Sequence, residues 1–253
     1  MKALIFQHLA AENSGLIGQF LNADGVDWSV VRLFDGEKIP PLDKIDALFV
    51  LGGPMEVWQE SRHMWLAEEK RAIYDAVRKI GVPTLGISLG HQLMAVALGG
   101  IVQKMQAPEI GLFEVEMTSD GASDPMLYGL DATTRVFQWH GSEMVTLPEG
   151  ANVLASSDAC AIQAVRYSRT AYGLQFHPEM TSKKLEVLAS EPAYTDSLKS
   201  GLGDKAVDQF LHSTGSALDT LEPQSRRLYE NFMIIVREGA LTFEASMDLG
   251  WSE

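Results

Sequence analysis

The chain has 253 residues, 46% hydrophobic and 21% charged, a balance that supports one large folded domain and argues against wholesale disorder. Its formal net charge of −14 sets up a field that repels phosphate backbones and anionic lipid, so no nucleic-acid or membrane partner is expected. The single cysteine, Cys160, rules out a disulfide framework within the chain.

The first apolar run, residues 3–6, is too short for a signal-peptide core. No run approaches the ~20 residues that span a bilayer. The expectation is a soluble, cytoplasmic chain. Residues 3–6 read instead as a buried strand. Leu16, Ile17, Phe20 and Leu21 follow at helical spacing within 11–22. Residues 28–33 and 45–51 read as strands, the latter ending abruptly in Gly52-Gly53-Pro54. Residues 63–80 form an amphipathic helical pattern, 82–87 a strand running into Ser88, and 91–98 a helix closed by Gly99-Gly100. This alternation predicts a parallel sheet with helices on both faces.

Beyond residue 100 the pattern changes. Residues 112–117, 134–138, 161–167 and 172–176 are strand-like with turn residues between them, which predicts mixed or antiparallel sheet. Helical patterns recur at 183–189, 204–213 and 222–238, separated by polar stretches at 197–203 and 213–216. The expected architecture is α/β: a flavodoxin-like, mostly parallel central sheet flanked by helices, a smaller mixed or antiparallel sheet, and a C-terminal helical appendage. The expected division is a main domain over 1–180 and a helical extension over 181–253 packed on it, with 228–236 needing burial.

Three motifs carry chemistry. In Gly86-Ile87-Ser88-Leu89-Gly90-His91-Gln92 a buried strand turns sharply into a helix. Such a turn lifts one side chain out of the sheet and aims the next backbone N–H, helped by the helix N-terminus, at a developing oxyanion. Read by itself, Gly86-x-Ser88-x-Gly90 fits a serine-hydrolase elbow, and Ser88 is equally a good N-cap. The second motif is His177-Pro178-Glu179 at the end of an apolar strand. It offers a base, His177, and a carboxylate that orients it, Glu179. The third, Leu51-Gly52-Gly53-Pro54, is a strand end without side chains, where backbone can approach a ligand closely.

Together, GISLGHQ, the YGLQFHPE segment and the LGGP turn resemble the class I glutamine amidotransferases over roughly residues 1–180, of the stand-alone GMP-synthase-amidotransferase-like or γ-glutamyl amide hydrolase type. One departure stands out: Ser88 occupies the position of the nucleophilic cysteine. The resemblance implies a triad of residue 88, His177 and Glu179, with the N–H groups of Gly53 and Leu89 forming the oxyanion hole. It further implies substrate contacts from Gly52, Gln92, Gln138, Trp139 and His140. Trp139 departs from the small residue common in the family, which puts pocket size in question.

The implied reaction is hydrolysis of a γ-glutamyl amide through a γ-glutamyl thioester. A hydroxyl does not ionise where a thiol does, so Ser88 reads first as an engineered replacement of cysteine that silences the enzyme, since Gly53, Gln92, His177 and Glu179 all remain; a natural serine-using hydrolase and a natural inactive module are the other two readings. The leading expectation is a stand-alone hydrolase of a small γ-glutamyl amine, γ-glutamyl peptide or glutamine. The alternatives are a glutaminase subunit passing ammonia to a separate synthetase chain, and a non-catalytic γ-glutamyl-ligand sensor. Residues 181–253 are expected to wall the pocket or to form a homodimer contact. No cofactor is expected, and no metal, since His8, His63 and His212 lack companions at ligand spacing. Glu109 reads as an exposed loop carboxylate, His91 as a packing residue and Cys160 as a small core residue.

Overall fold

A computed structural model of the chain describes residues 1–202 and 207–248. Its first half alternates as expected: β1 (Lys2–Gln7), α1 (Gly15–Ala23), β2 (Asp27–Arg32), β3 (Ala47–Val50), α2 (Trp65–Tyr74), β4 (Thr84–Ile87) and α3 (Leu89–Ala97). Period-2 alternation divides each strand between two layers. In β1, Ala3 and Ile5 face one core while Leu4 and Phe6 face the other; in β3, Ala47 and Phe49 part from Leu48 and Val50 in the same way. Strands apolar on both faces require helices on both sides, which is why this half is parallel. α2 and α3 cover one face, and α1 covers the other.

The second half comprises β5 (Ile101–Met117), α4 (Ser119–Ala122), β6 (Thr133–Thr146), β7 (Asn152–Ser156), β8 (Ala164–Arg166) and β9 (Ala171–Leu174). All nine strands join one sheet in the order β2-β1-β3-β4-β9-β8-β7-β5-β6, parallel from β2 to β9 and antiparallel beyond. The expected smaller antiparallel sheet is therefore a continuation of the main one. A register shift between Lys104 and Glu109 divides the long β5–β6 hairpin into an inner ladder and an outer ribbon. The sequence pattern passes over β7, and it takes 105–112 and 139–143 as loops, which are strand in β5 and β6.

The tail consists of α5 (Ser182–Ser190), α6 (Pro192–Leu202) and α7 (Val207–Asp248). The polar stretches expected to separate its helices are themselves helical: α6 runs through 197–202 and α7 through 213–216, while residue 203 lies outside the described residues. Burial overrides weak Ser/Gly propensity here, because Leu198 and Leu218 pack with Trp139, Tyr194 and Leu185 in one cluster. Further along α7, Leu228, Tyr229, Phe232, Met233, Ile235 and Val236 enter the same core as β1 and β3. Among the described residues no helix is long and apolar enough to cross a membrane.

Candidate active site

Four adjacent parallel strands end side by side, and each delivers a residue to one place: His8 just after β1, Gly52-Gly53 after β3, Ser88 after β4 and His177 after β9. This is the carboxyl edge where α/β sheets form their sites. Ser88 stands between β4 and α3 with φ 51° and ψ −109°, and among the described residues it is the only non-glycine with positive φ. Its N–H is held by the carbonyl of Leu174 at 2.8 Å. A Cβ on Gly90 would lie 2.0 Å from the Val50 oxygen, so α3 can begin this close to β3 only with glycine there. The backbone strain, of order 1–3 kcal/mol, marks a position whose geometry matters.

His177 is tied to β6 through its N–H to the Phe137 carbonyl at 2.9 Å. Its Nδ1 lies 2.9 Å from Glu179 Oε1, and its Nε2 is buried with no hydrogen-bond partner. Since a carboxylate only accepts, Nδ1 carries a proton, which leaves Nε2 as the ring nitrogen open to a reacting group. Glu179 in turn accepts from Lys184 Nζ at 2.9 Å, and Lys184 also reaches Glu12 at 3.0 Å; all three side chains are buried. The Tyr194 hydroxyl donates to Glu12. Burial alone would push Glu179 up, but Lys184 and His177 outweigh it and hold the carboxyl far below its usual range. Burial likewise works against a charged Lys184, and Glu12 and Glu179 overcome it, so its pKa is raised.

A cavity of about 210 Å³ opens beside Ser88. Gly53, Pro54, Met55, Glu56, Leu89, Gln92, His140, Gly141 and Ser142 line it, with Trp139 and Tyr194 meeting edge to face at 4.9 Å in its wall. His177 is not in the lining; it lies against Gly52, where a Cβ would come 3.1 Å from its Cε1, and a Cβ on the neighbouring Gly53 would meet Leu89 at 2.9 Å. Neither the Gly53 nor the Leu89 N–H donates to an acceptor among the described residues.

Of the expected contacts, Gln92, Trp139 and His140 reach the cavity, whereas Gly52 and Gln138 are not in its lining. The Gly52 carbonyl accepts from His8, and Gln138 donates to Gln163 at 2.7 Å in the interior. Gln92 spends its amide on the Ser142 carbonyl and Gln175. Glu109, expected to be exposed in a loop, is buried in β5. It accepts from Gln163 and stands 2.9 Å from His140 Nε2, at an angle that makes an ion-pair approach but not a hydrogen bond. His91 packs as expected, against Tyr167, and burial foremost, then His140, lowers it to about 3. Cys160 is buried, its thiol pushed up to about 12 by that burial. Among the described residues no cluster of His, Cys, Asp and Glu could hold a metal ion. Sequence reading passed over Lys184, Glu12, Tyr194 and Glu69; Glu12 and Glu69 meet partners far away in the chain, while Lys184 reaches both the distant Glu12 and the nearby Glu179.

The family model described as "Glutamine amidotransferase class-I" matches residues 12–190. The chain belongs to the class I glutamine amidotransferases. This amidotransferase is 37% identical over 160 residues to a glutamine-hydrolyzing GMP synthase subunit of Sulfolobus acidocaldarius, covering 62% of this chain and 80% of the relative. It is 38% identical over 185 residues to the corresponding subunit of Sulfurisphaera tokodaii, covering 72% and 89%. Among solved structures, a glutamine amidotransferase from Thermotoga maritima superposes with a TM-score of 0.80 at 28% identity, covering 92% of this chain and 97% of that one. Membership places the amidotransferase's chemistry with the amide hydrolases.

Proposed function

We propose that the site hydrolyses the γ-amide of glutamine, with cysteine in place of Ser88, as the ammonia-producing component of a two-chain synthetase. The observation that carries the reaction is the buried His177–Glu179 pair with Nε2 unpartnered, beside the strained turn at Ser88. In this reading His177 takes the proton from the nucleophile at position 88. The sulfur attacks the γ-carbonyl carbon, and the carbonyl electrons move to oxygen, where the Gly53 and Leu89 N–H groups hold the charge. His177 then passes its proton to the leaving nitrogen, ammonia departs, and a γ-glutamyl thioester remains. Water loses a proton to His177, attacks the thioester and releases glutamate and the thiol. Glu179 fixes the ring and stabilises the imidazolium formed at each step.

Two observations favour glutamine and a partner chain over the stand-alone γ-glutamyl amine or peptide hydrolase that the sequence suggested first. The cavity, about 210 Å³, is below the ~300–1,000 Å³ usual for small-molecule pockets and is walled by Trp139 and Tyr194. The relatives are named as subunits of a glutamine-hydrolysing synthase. We take residues 1–180 as the catalytic unit and 181–253 as an extension that completes its wall, since Ala193 and Tyr194 of α6 line the cavity.

The test is a substrate comparison on the Ser88→Cys chain. Its kcat/KM for glutamine is expected to exceed that for γ-glutamyl amines and peptides, and to rise when the synthetase chain is added. Preference for a substituted amide, with no response to a synthetase, would return the assignment to a stand-alone hydrolase.

A further inference from the structure

The mechanism above leaves the buried pair of His8 and Glu69 unused. His8 ends β1, and Glu69 lies in α2; both side chains are fully buried. His8 Nδ1 stands 2.9 Å from the Gly52 carbonyl oxygen and Nε2 stands 2.8 Å from Glu69 Oε1. The ring also stacks on Trp65, with centroids 5.4 Å apart and planes within 8°. The Gly52 carbonyl oxygen can only accept, so Nδ1 carries a hydrogen and donates to it, while Nε2 faces the Glu69 carboxyl. Burial disfavours a charged ring; Glu69 foremost, then the Gly52 carbonyl and Glu12, outweigh it and raise the His8 pKa.

This bond fixes more than a carbonyl. The peptide joining Gly52 to Gly53 is trans, as are all described peptides, and in a trans peptide the C=O and the following N–H point in opposite directions. Drawing the Gly52 oxygen onto His8 therefore turns the Gly53 N–H the other way. Gly53 lines the cavity with Ser88 and Leu89, and its N–H has no acceptor among the described residues. The spot is tight: a Cβ there would sit 3.0 Å from the His8 Cβ and 2.9 Å from the end of the Leu89 side chain, so these neighbours would have to shift. A freely turning Gly-Gly peptide would pay to be ordered each time charge developed on the substrate; one already pinned does not.

We infer that His8, held by Glu69, is a positioning residue that aims the Gly53 N–H at the substrate oxyanion. The inference rests on the reading of Ser88, His177 and Glu179 as an amide-hydrolysing site. Its signature is a requirement for a donor at the Nδ1 position of residue 8, which is separate from any need for the ion pair.

Two double variants separate those needs. His8→Asn/Glu69→Gln keeps a donor near the Nδ1 position while removing both charges; His8→Leu/Glu69→Leu removes the charges and the donor. In the Ser88→Cys chain, the leucine pair is expected to lower kcat for glutamine about a hundredfold, the scale of losing one oxyanion donor, with KM held within about threefold. The asparagine–glutamine pair should recover at least about tenfold of that loss. Equal loss in both pairs, or a loss confined to KM, would overturn the inference. A second readout needs no turnover. In the full chain with Ser88 left in place, the Gly53 amide resonance in a 1H–15N spectrum should move in the leucine pair and stay near its original position in the other. An unmoved resonance in both overturns the positioning role even if the enzyme is active. A Ser88→Cys chain that hydrolyses no γ-glutamyl amide overturns the enzymatic reading instead, and leaves the amide resonance to decide the geometry. Should the leucine pair fail to fold, a hundredfold loss in the asparagine–glutamine pair alone would count against the inference.

Discussion

Ser88 sits in a backbone conformation, φ 51°, that the surrounding contacts impose: its N–H is fixed to Leu174 and the following turn is packed against Val50. Side chains nearby are equally constrained. Lys184 is buried between Glu12 and Glu179, and removing one partner of such a cluster leaves carboxylates without compensation. Lys184→Met is expected to cost about 3–5 kcal/mol near neutral pH, measured by urea unfolding. The pH dependence has a definite sign. Glu179 has a depressed pKa in the folded chain, so the stability it gains from Lys184 is complete above its ordinary 4.5 and fades as pH falls toward the folded value. Lys184 has a raised pKa, so its contribution is complete below 10.5 and fades as pH climbs through the folded value. The stability gap between the native chain and Lys184→Met should therefore shrink as pH is lowered from 5 toward ~3; a gap that widened there would contradict the pairing. Ser88, His177 and Glu179 were legible because their chemistry is local and their spacing is fixed. Lys184 was not, because Thr181-Ser182-Lys183-Lys184 reads as a polar helix start until α5 is seen to bury its second lysine. His8 was passed over because its partner, Glu69, is an α2 residue far along the chain.

α7 shows what packing decides at the scale of an element. Its residues 228–236 form a fourth side to the core beneath β1 and β3, with Phe232 fully buried and set edge to face against Phe49 at 5.2 Å. Phe232→Ala should cost about 3–5 kcal/mol, read from the midpoint of chemical unfolding at unchanged m-value. A change under ~1 kcal/mol would mean that this helix is an ornament and not part of the core. The hydrophobic periodicity of 228–236 announced its need for burial, but not the unbroken helix leading to it. Serine and glycine at 213–216 suggest a turn by propensity, and the packing of Leu218 and Leu198 with Trp139 and Tyr194 outweighs them. β5 was underestimated for a related reason: its first residues run as an exposed outer ribbon past the register shift at Lys104–Glu109, so they lack the apolar alternation that marks a strand.

At the scale of the whole molecule, the parallel half of the sheet places the ends of β1, β3, β4 and β9 in one row. The proposed chemistry draws on that row: His8 beside the Gly52 carbonyl, the N–H of Gly53, unpartnered among the described residues, the strained turn at Ser88 and the His177–Glu179 pair. The order of motifs along the chain foretold this half, because each motif closes a strand buried on both faces. The tail was expected either to wall the pocket or to form a dimer contact, and α6 supplies wall through Ala193 and Tyr194. The most direct measurement is glutamate release from L-glutamine by three chains: the chain with Ser88, Ser88→Cys, and Ser88→Cys with His177→Asn. The account predicts release by Ser88→Cys alone, with the Ser88 chain and the double variant at background. Equal release by all three, or none from Ser88→Cys, would contradict it.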